Sequence, residues 1–273
     1  MPSFDVKALA EEIASAYANR RSVDVLPSAR DSGLTLGDAY AVEAELARLK
    51  RTDGHYAVGR KVGYANKAMW RVLKLETLVW AHMYDDTVYH AQHGFATVSI
   101  DRMYSPKIEP EIVFKLKAPL GTEAVEPVTA LEGVEWLALG FEIIDCVFPG
   151  WTYQPADFVA AYGLHAALIV GKPQPIEPSM IPALVDDLAR FSVRLMKNGE
   201  LVEEGAGKNA LRSPARSLGE LAAAISRQPD AEPLAAGELV SSGTLTASTS
   251  IARGELWEAK VDGLALASLT VQL

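Results

Sequence analysis

The chain has 273 residues, 49% hydrophobic and 22% charged, a balance typical of a folded globular protein rather than a disordered one. Its formal net charge is −9 and no window carries a Lys/Arg cluster, so we expect no nucleic-acid partner. No apolar stretch is long enough to span a bilayer, no export signal is visible, and the single Cys146 excludes an internal disulfide; we therefore expect a cytoplasmic protein without a membrane partner.

The first fifty or so residues predict two helices. Apolar residues recur at helical spacing between Val6 and Tyr17 and again between Ala39 and Leu49. After Gly54 the pattern changes to short apolar runs bounded by Gly, Pro and Asp, which indicates strands. We therefore expect a helical N-terminal cap or subdomain over residues 1–54 and a β-rich domain over residues 55–273.

The β-rich part predicts about nine short strands interleaved with few helices. The predicted strands are Tyr56 to Val62, Ala96 to Ile100, Ile108 to Leu116, Leu139 to Val147, Leu164 to Val170, Phe191 to Met196, Leu239 to Ser241, Leu256 to Val261 and Leu264 to Gln272. The predicted helices are Asn66 to Leu73, Thr129 to Leu137 and Pro214 to Ser226. A hairpin turn at Asp262-Gly263 closes the pattern, which favours an α+β fold with a mixed sheet rolled into a barrel or sandwich.

Two glutamates alternate with apolar residues in the predicted strand around Pro110. Glu109 and Glu111 share one face of that strand, because side chains two residues apart point the same way. Pro110 removes a hydrogen-bond donor and places the segment at a sheet edge or bulge, where sites are often built. The alternative is that both carboxylates simply face water.

A third glutamate lies in a predicted buried strand. Glu142 has apolar neighbours on both sides, so its carboxylate must be paired, protonated or bound to a cation. An ion pair with Arg or Lys is the alternative. Together with Glu109 and Glu111 it makes an oxygen-only donor set, which suits Mg²⁺ or Mn²⁺ rather than Zn²⁺. A small 2-keto acid or its enol carboxylate could chelate such an ion through its carboxylate and C2 oxygen.

These motifs resemble a known superfamily. Glu109-Pro110-Glu111, followed thirty-one residues after Glu111 by Glu142, resembles the E-x-E…E site of the fumarylacetoacetate-hydrolase superfamily. Gly59-Arg60-Lys61-Val62-Gly63 resembles a motif of the branch with 2-keto-4-pentenoate hydratases and 4-oxalocrotonate decarboxylases, and Asp85-Asp86 matches an acidic position there. The similarity runs from about Leu36 to the C-terminus.

The resemblance implies a distorted mixed β-barrel or roll, a homo-oligomer, and Mg²⁺ or Mn²⁺ bound by the three glutamates. It also implies catalytic roles for Lys61, which would contact substrate as well, and for Asp86, which would assist proton transfer or orient water. From the residues alone, Lys61 equally fits a solvated strand lysine and Asp86 a turn carboxylate.

Looser matches extend the implied substrate-binding set. Trp151 and Asp157 resemble a W…D element, and Thr244 lies in a late Gly-rich element, although a tryptophan is more often a core residue. Ser213 and Arg212 stand where the branch carries histidine and glycine. Lys208 or Arg212 could therefore pair with a second substrate carboxylate; the alternative is a solvated loop.

The sequence therefore predicts a lyase of aromatic or related catabolism. We expect a hydratase that adds water to a 2-hydroxy-2,4-dienoate and gives a 4-hydroxy-2-keto acid. The first alternative is a Mg²⁺-dependent decarboxylase of a 4-oxalocrotonate-like 2-keto diacid, and the second is a catalytically silent partner subunit. C–C bond hydrolysis is disfavoured, because the H-x-x-E dyad of the hydrolase branches is missing from the sequence.

Overall fold

The structure, a computed structural model, describes residues 5–121, 123, 125–229 and 231–273. Its helices are α1 (Val6–Ala18), α2 (Leu36–Thr52), α3 (Lys67–Leu73), α4 (Pro127–Glu132), α5 (Pro155–Ala160), α6 (Ile181–Arg190) and α7 (Pro214–Ser226). Its strands are β1 (Ala57–Gly63), β2 (Val79–Tyr84), β3 (Val88–His90), β4 (Phe95–Thr97), β5 (Pro106–Leu116), β6 (Val134–Asp145), β7 (His165–Val170), β8 (Gln174–Pro175), β9 (Ser192–Lys197), β10 (Glu200–Ala206), β11 (Leu239–Ser241), β12 (Thr249–Ser250), β13 (Leu256–Asp262) and β14 (Leu269–Gln272). The predicted α+β, β-rich class is confirmed.

Two capped helices form the N-terminal part. α1 follows Asp5, whose carboxylate accepts a hydrogen bond from the Ala8 amide at 3.0 Å. α2 follows Thr35, which forms a capping box with Asp38. The helices pack on each other, and α2 also packs on α5 and β2. Both predicted helices are confirmed, whereas the subdomain boundary near residue 54 stays a prediction.

The larger sheet carries the functional strands. Its strand order is β2-β1-β11-β5-β6-β7-β3, with β12 beside β5 and β8 beside β6. The β1–β11 and β7–β3 pairs are parallel and the other pairs along that order are antiparallel, so the sheet is mixed. Met83 of β2 and Leu168 of β7 belong to one small apolar cluster although their strands lie near opposite ends of the order. The sheet therefore curls into a half-barrel with that face inside.

The smaller sheet has the order β10-β9-β13-β14-β4. β13 and β14 are antiparallel partners, as the turn at Asp262-Gly263 predicts, and Gly263 adopts φ +85°. β4 runs parallel to β14. No helix within the described part of the chain is long and apolar enough to cross a membrane.

One predicted helix is wrong over half its length. α4 ends at Glu132, before Gly133, and the residues predicted to continue it instead begin β6, where Leu137 pairs with Phe114. Sheet pairing outweighs local helical spacing there. The described chain also has fourteen strands rather than about nine, together with the unpredicted helices α5 and α6.

Candidate metal and substrate site

The structure brings the three glutamates together on neighbouring strands. Glu109 and Glu111 lie on β5, and Glu109 pairs directly with Glu142 of β6, while Glu111 lies opposite Gly140. One carboxylate oxygen from each glutamate lies within 4.8 Å of the others. Like charges directly opposite each other on a sheet repel, so the fold accepts a penalty that a bound cation would remove.

One oxygen of Glu111 is held by the chain. Glu111 Oε2 accepts hydrogen bonds from Ser241 Oγ at 2.6 Å and from the Gly243 amide at 2.8 Å. Ser241 is the last residue of β11, which lies beside β5 in the sheet, and Gly243 follows two residues later. Gly243 adopts φ +104°, and a Cβ there would lie 2.7 Å from the Ala65 Cβ, so this turn requires glycine.

Glu142 is fully buried between two basic side chains. Its Oε1 lies 2.8 Å from His165 Nδ1, and its Oε2 lies 3.2 Å from Lys61 Nζ. Lys61 Nζ also donates a hydrogen bond to the Gly163 carbonyl at 2.9 Å, and apart from the ion pair with Lys61, Glu142 Oε2 has no hydrogen-bond partner among the described residues. A buried carboxylate oxygen in that position is available to a cation.

Burial dominates the electrostatics of this cluster. Burial raises the pKa of Glu109 to about 7, against the lowering effect of Lys61 and with a further increase from Glu142. Burial, reinforced by Glu142 and Glu109, raises the pKa of Glu111 well above its ordinary value. Protons and a cation therefore compete for the same oxygens. The donor set fits a hard divalent ion, because it offers carboxylate oxygens and no thiolate.

A cavity of about 400 Å³ opens next to this cluster. Lys61 and Glu109 line it directly, whereas Glu111 and Glu142 are buried behind them. Three aromatic rings form part of the wall: Tyr64, Tyr153 and Phe158. Polar groups form another part: Asn66, Asn209, Thr244, Thr246 and Ser248. An apolar wall with a few polar groups and one carboxylate cluster is typical of a small-molecule site.

Lys61 lies in the wall of this cavity. It belongs to β1, its residue is 2% exposed, and its ammonium lies 4.8 Å from the centroid of the Phe158 ring. Gly63 on the same strand lets that ring approach, because a Cβ at Gly63 would lie 2.5 Å from it. Thr244 also lines the cavity, and its hydroxyl donates to the Thr246 carbonyl at 2.9 Å.

Asp86 is not among the residues that line this cavity, and its catalytic role stays a prediction. Its carboxylate pairs with Lys50 Nζ at 2.6 Å and lies 3.8 Å from His55 Nε2 on the exposed side of the molecule. The preceding Asp85 bonds to the Tyr56 amide, near the start of β1, whereas the cavity lies along the end of β1 and beyond. The acidic pair terminates β2 instead of completing the site.

Trp151 and Asp157 do not line this cavity either. Trp151 donates its indole N–H to Ser105 Oγ at 2.9 Å and carries Lys107 Nζ 4.0 Å above its ring. Asp157 is fully buried and accepts bonds from the Ser28 amide, the Ser28 hydroxyl and the Gln154 amide. Its oxygens thus tie the N-terminal segment to the start of α5, and neither residue is among those lining the cavity.

Lys208 is exposed and lies outside the cavity lining, whereas the adjacent Asn209 lines it. Asn209 Nδ2 donates to the Leu245 carbonyl at 2.7 Å, which fixes the loop. Arg212 is exposed as well. The described structure therefore gives no support to a substrate-binding role for Lys208.

Sequence reasoning missed His165, Ser241, Tyr153 and Phe158. His165 starts a strand that is otherwise apolar, and a lone polar residue in such a strand is a usable signal. Tyr153 and Phe158 adjoin predicted residues, and only the packing of the loop and of α5 against the sheet, which is tertiary information, decides that they line the cavity and Trp151 and Asp157 do not.

Curated relatives match nearly the whole chain. The 2-hydroxyhexa-2,4-dienoate hydratase of Comamonas testosteroni is 28% identical over 257 residues, 93% of this chain and 93% of the relative. The 4-oxalocrotonate decarboxylase of Pseudomonas sp. (strain CF600) is 28% identical over 260 residues, 95% of this chain and 94% of the relative. A solved structure of 4-oxalocrotonate decarboxylase from Pseudomonas putida G7, complexed with magnesium and adipate, matches with a TM-score of 0.86 at 28% identity, over 98% of this chain and 96% of that chain.

The family itself is established by the sequence. The profile described as fumarylacetoacetate (FAA) hydrolase C-terminal matches residues 62–272, most of the chain. That range contains all three glutamates and almost all of the cavity lining. The resemblance read from the E-x-E…E motif is thereby confirmed, and the chain belongs to the fumarylacetoacetate hydrolase family.

Proposed function

We propose that this chain is a divalent-metal-dependent hydratase. It would add water to a 2-hydroxy-2,4-dienoate of the 2-keto-4-pentenoate kind and yield a 4-hydroxy-2-keto acid, in the catabolism of aromatic or related compounds. The convergence of Glu109, Glu111 and Glu142 next to Lys61 at one cavity carries the proposal. The hydratase and decarboxylase names of the relatives support the same substrate class.

The three glutamates would hold the cation, Mg²⁺ or Mn²⁺. Two observations support this fit. Glu142 Oε2 accepts no hydrogen bond from the described residues, and the pKa values of Glu109 and Glu111 are raised. When bound, the ion would supply Lewis-acid stabilisation of negative charge on the C2 oxygen of the substrate.

The remaining roles belong to cavity side chains. Lys61 holds a proton on Nζ beside Glu142, and we assign to it proton transfer at the substrate. Tyr153 and Phe158 would cover the hydrocarbon part of the substrate, and Thr244 offers its hydroxyl oxygen as a polar contact for the substrate. Asp86 takes no part in this scheme, because Lys50 holds it outside the cavity.

The proposed reaction balances with one water. Protonation of the dienol at C5 and loss of the C2 hydroxyl proton give an unsaturated ketone. The oxygen of water then forms a bond to C4, and a proton is added at C3. Lys61 Nζ is the cavity nitrogen able to exchange these protons.

Decarboxylation is the second candidate, and the TM-score of 0.86 with a decarboxylase favours it. The substrate would be a 4-oxalocrotonate-like 2-keto diacid, from which a C–C bond breaks to release CO₂ and leave a dienolate that is then protonated. A catalytically silent partner subunit would bind the cation and turn over neither acid.

We further propose that the chain is a cytoplasmic homo-oligomer whose residues 1–54 form a helical cap. The oligomer follows from the family resemblance, and the single Cys146, buried in the core, fits a reducing compartment. Analytical ultracentrifugation of the full chain tests the oligomer, and a monomer at micromolar concentration would refute it.

Incubation with a 2-hydroxydienoate and with an oxalocrotonate-like diacid tests the function. Hydration predicts Mg²⁺-dependent loss of dienol absorbance without CO₂, and activity that chelator removes and Mg²⁺ restores. CO₂ from the diacid alone would favour the decarboxylase. Mg²⁺ binding without turnover of either acid would favour the silent subunit.

A further inference from the structure

His165 contacts a metal-site carboxylate without lining the cavity. Its side chain is 1% exposed, and its Nδ1 lies 2.8 Å from Glu142 Oε1. It belongs neither to the E-x-E…E motif nor to the cavity wall. We propose that His165 is a positioning residue that holds Glu142 Oε1 and so reserves Glu142 Oε2 for the cation. The inference rests on the cation site of the proposed function.

The direction of the hydrogen bond follows from the chemistry of Glu142. A carboxylate that binds a cation is ionised and can only accept hydrogen bonds, so the proton lies on His165 Nδ1. The other ring nitrogen, Nε2, lies 3.0 Å from Thr87 Oγ1. A hydroxyl can donate or accept, and Thr87 Oγ1 lies within hydrogen-bond distance of both Nε2 and the Tyr84 carbonyl, so Nε2 contacts a hydroxyl while Nδ1 faces Glu142.

The backbone fixes this chain of contacts. Thr87 accepts a hydrogen bond from the Leu168 amide at 2.8 Å through its carbonyl, which anchors it to β7. His165 pairs with Ile144 of β6, and the β6–β7 register shifts between Ile143 and Ile144. Such an irregularity redirects side chains locally, and here it brings the imidazole to Glu142.

Glu142 needs such a restraint because Lys61 competes for it. Lys61 Nζ lies 3.2 Å from Oε2, the oxygen that the cation would use. A carboxylate free to rotate could offer either oxygen to either cation. The bond from His165 removes that freedom. Glu111 has the matching arrangement: Ser241 and Gly243 hold its Oε2, so Oε1 is the oxygen that it would offer to the cation.

A matched pair of amide variants tests the proposal. In His165→Asn the amide nitrogen falls near the position of Nδ1 and can still donate to Glu142, whereas in His165→Gln it falls near Nε2 and reaches toward Thr87. Calorimetry should show Mg²⁺ affinity reduced roughly 10- to 100-fold in His165→Gln, the usual cost of losing a ligand's hydrogen-bond partner. His165→Asn should recover most of that loss.

Thermal denaturation of the metal-free variants separates this role from simple packing. Equal Mg²⁺ affinity in wild type and His165→Gln, or equal losses in the two variants, would overturn the proposal. If the histidine variants fail to fold, Thr87→Val replaces them as the test. We expect it to lower Mg²⁺ affinity roughly 2- to 10-fold, the cost of about one hydrogen bond. Unchanged Mg²⁺ affinity in this variant would overturn the proposal. Failure of the wild-type chain to bind Mg²⁺ or Mn²⁺ would instead refute the proposed function, and this inference with it.

Discussion

Within the described part of the chain, three carboxylate or imidazole side chains come together in two places, and the two clusters have opposite electrostatic character. The inner cluster consists of Glu109, Glu111 and Glu142, and the outer cluster of His55, Asp85 and Asp86. In both, three candidate ligand atoms lie within 4.8 Å of one another. Proximity of ligand atoms alone therefore does not distinguish a cation site from a surface ion-pair group.

Burial and partners make the difference. In the inner cluster, burial raises the pKa of Glu109 to about 7, and Glu142 Oε2 accepts no hydrogen bond from the described residues. In the outer cluster, desolvation raises the pKa of Asp85, but hydrogen bonds from the Tyr56 amide and His55 outweigh it and the pKa is lowered. Asp86 already has the cation of Lys50. The inner cluster therefore sets three carboxylates against the ammonium of Lys61, whereas in the outer cluster His55 and Lys50 pair with the two exposed carboxylates.

The largest expected effect comes from removing one inner carboxylate. Glu142→Gln should lower Mg²⁺ affinity by more than about 100-fold and abolish turnover, since losing even a hydrogen-bond partner of a ligand costs roughly 10- to 100-fold. The matched change in the outer cluster, Asp86→Asn, should leave both unchanged. Calorimetry measures the Mg²⁺ affinity, and the loss of dienol absorbance measures turnover. An Asp86→Asn enzyme that binds Mg²⁺ normally but no longer converts substrate would show that Asp86 takes part in the reaction.

Each cluster also has its own lysine, which gives a second matched pair. Lys61→Met should lower kcat by roughly 10²- to 10⁴-fold, the usual contribution of proton transfer by a positioned group, while Mg²⁺ affinity is largely kept. Lys50→Met removes the partner of Asp86 and should leave kcat unchanged. Steady-state kinetics at saturating Mg²⁺ check both. An unchanged kcat in Lys61→Met would remove Lys61 from the reaction.

The inner cluster should also make Mg²⁺ affinity depend on pH. Because the pKa of Glu109 is about 7, a proton must leave before a cation binds, and affinity should rise by up to about tenfold per pH unit below pH 7. The free energy of unfolding of the metal-free protein has the opposite pH dependence. Glu109 contributes stability below its ordinary pKa of 4.5, and this is lost as pH rises through about 7.

Titrations with Mg²⁺ at pH 5.5, 6.5 and 8, with thermal denaturation of the metal-free protein at each pH, measure both trends. Asp86→Asn, in the outer cluster, should follow the wild-type curve. A Mg²⁺ affinity that is flat across this range would contradict a proton-cation competition at Glu109.

Much of the fold could be predicted from local pattern. Helices α1, α2, α3 and α7 follow from apolar spacing and caps, and the hairpin of β13 and β14 follows from Asp262-Gly263. The sequence prediction missed α5 and α6, and it made α4 too long because tertiary pairing, rather than spacing, decides where β6 starts. Neither apolar spacing nor turn residues indicate which strands are neighbours in a curled sheet.

The same distinction applies to the site. Glu109 and Glu111 share a face of one strand by simple alternation, and their convergence with Glu142 follows the family motif. Asp86 lies away from the cavity because the turn that carries it packs against the start of β1, whereas the cavity lies along the end of that strand. Asp157 lies outside the cavity lining because its carboxylate accepts hydrogen bonds from Ser28, 129 residues away in sequence.

The smallest expected effect repeats the comparison within one loop. Lys208 is exposed and outside the cavity lining, so Lys208→Ala should change KM by no more than about 2-fold, as for an ordinary surface substitution. Asn209 lines the cavity and donates to the Leu245 carbonyl, so Asn209→Ala should raise KM by about 2- to 10-fold, the cost of one hydrogen bond. Steady-state kinetics with a monoacid and a diacid test both variants, since a solvated lysine has no reason to distinguish the two acids. A KM that rises for the diacid alone in Lys208→Ala would show that the loop closes over bound substrate and that Lys208 binds its second carboxylate.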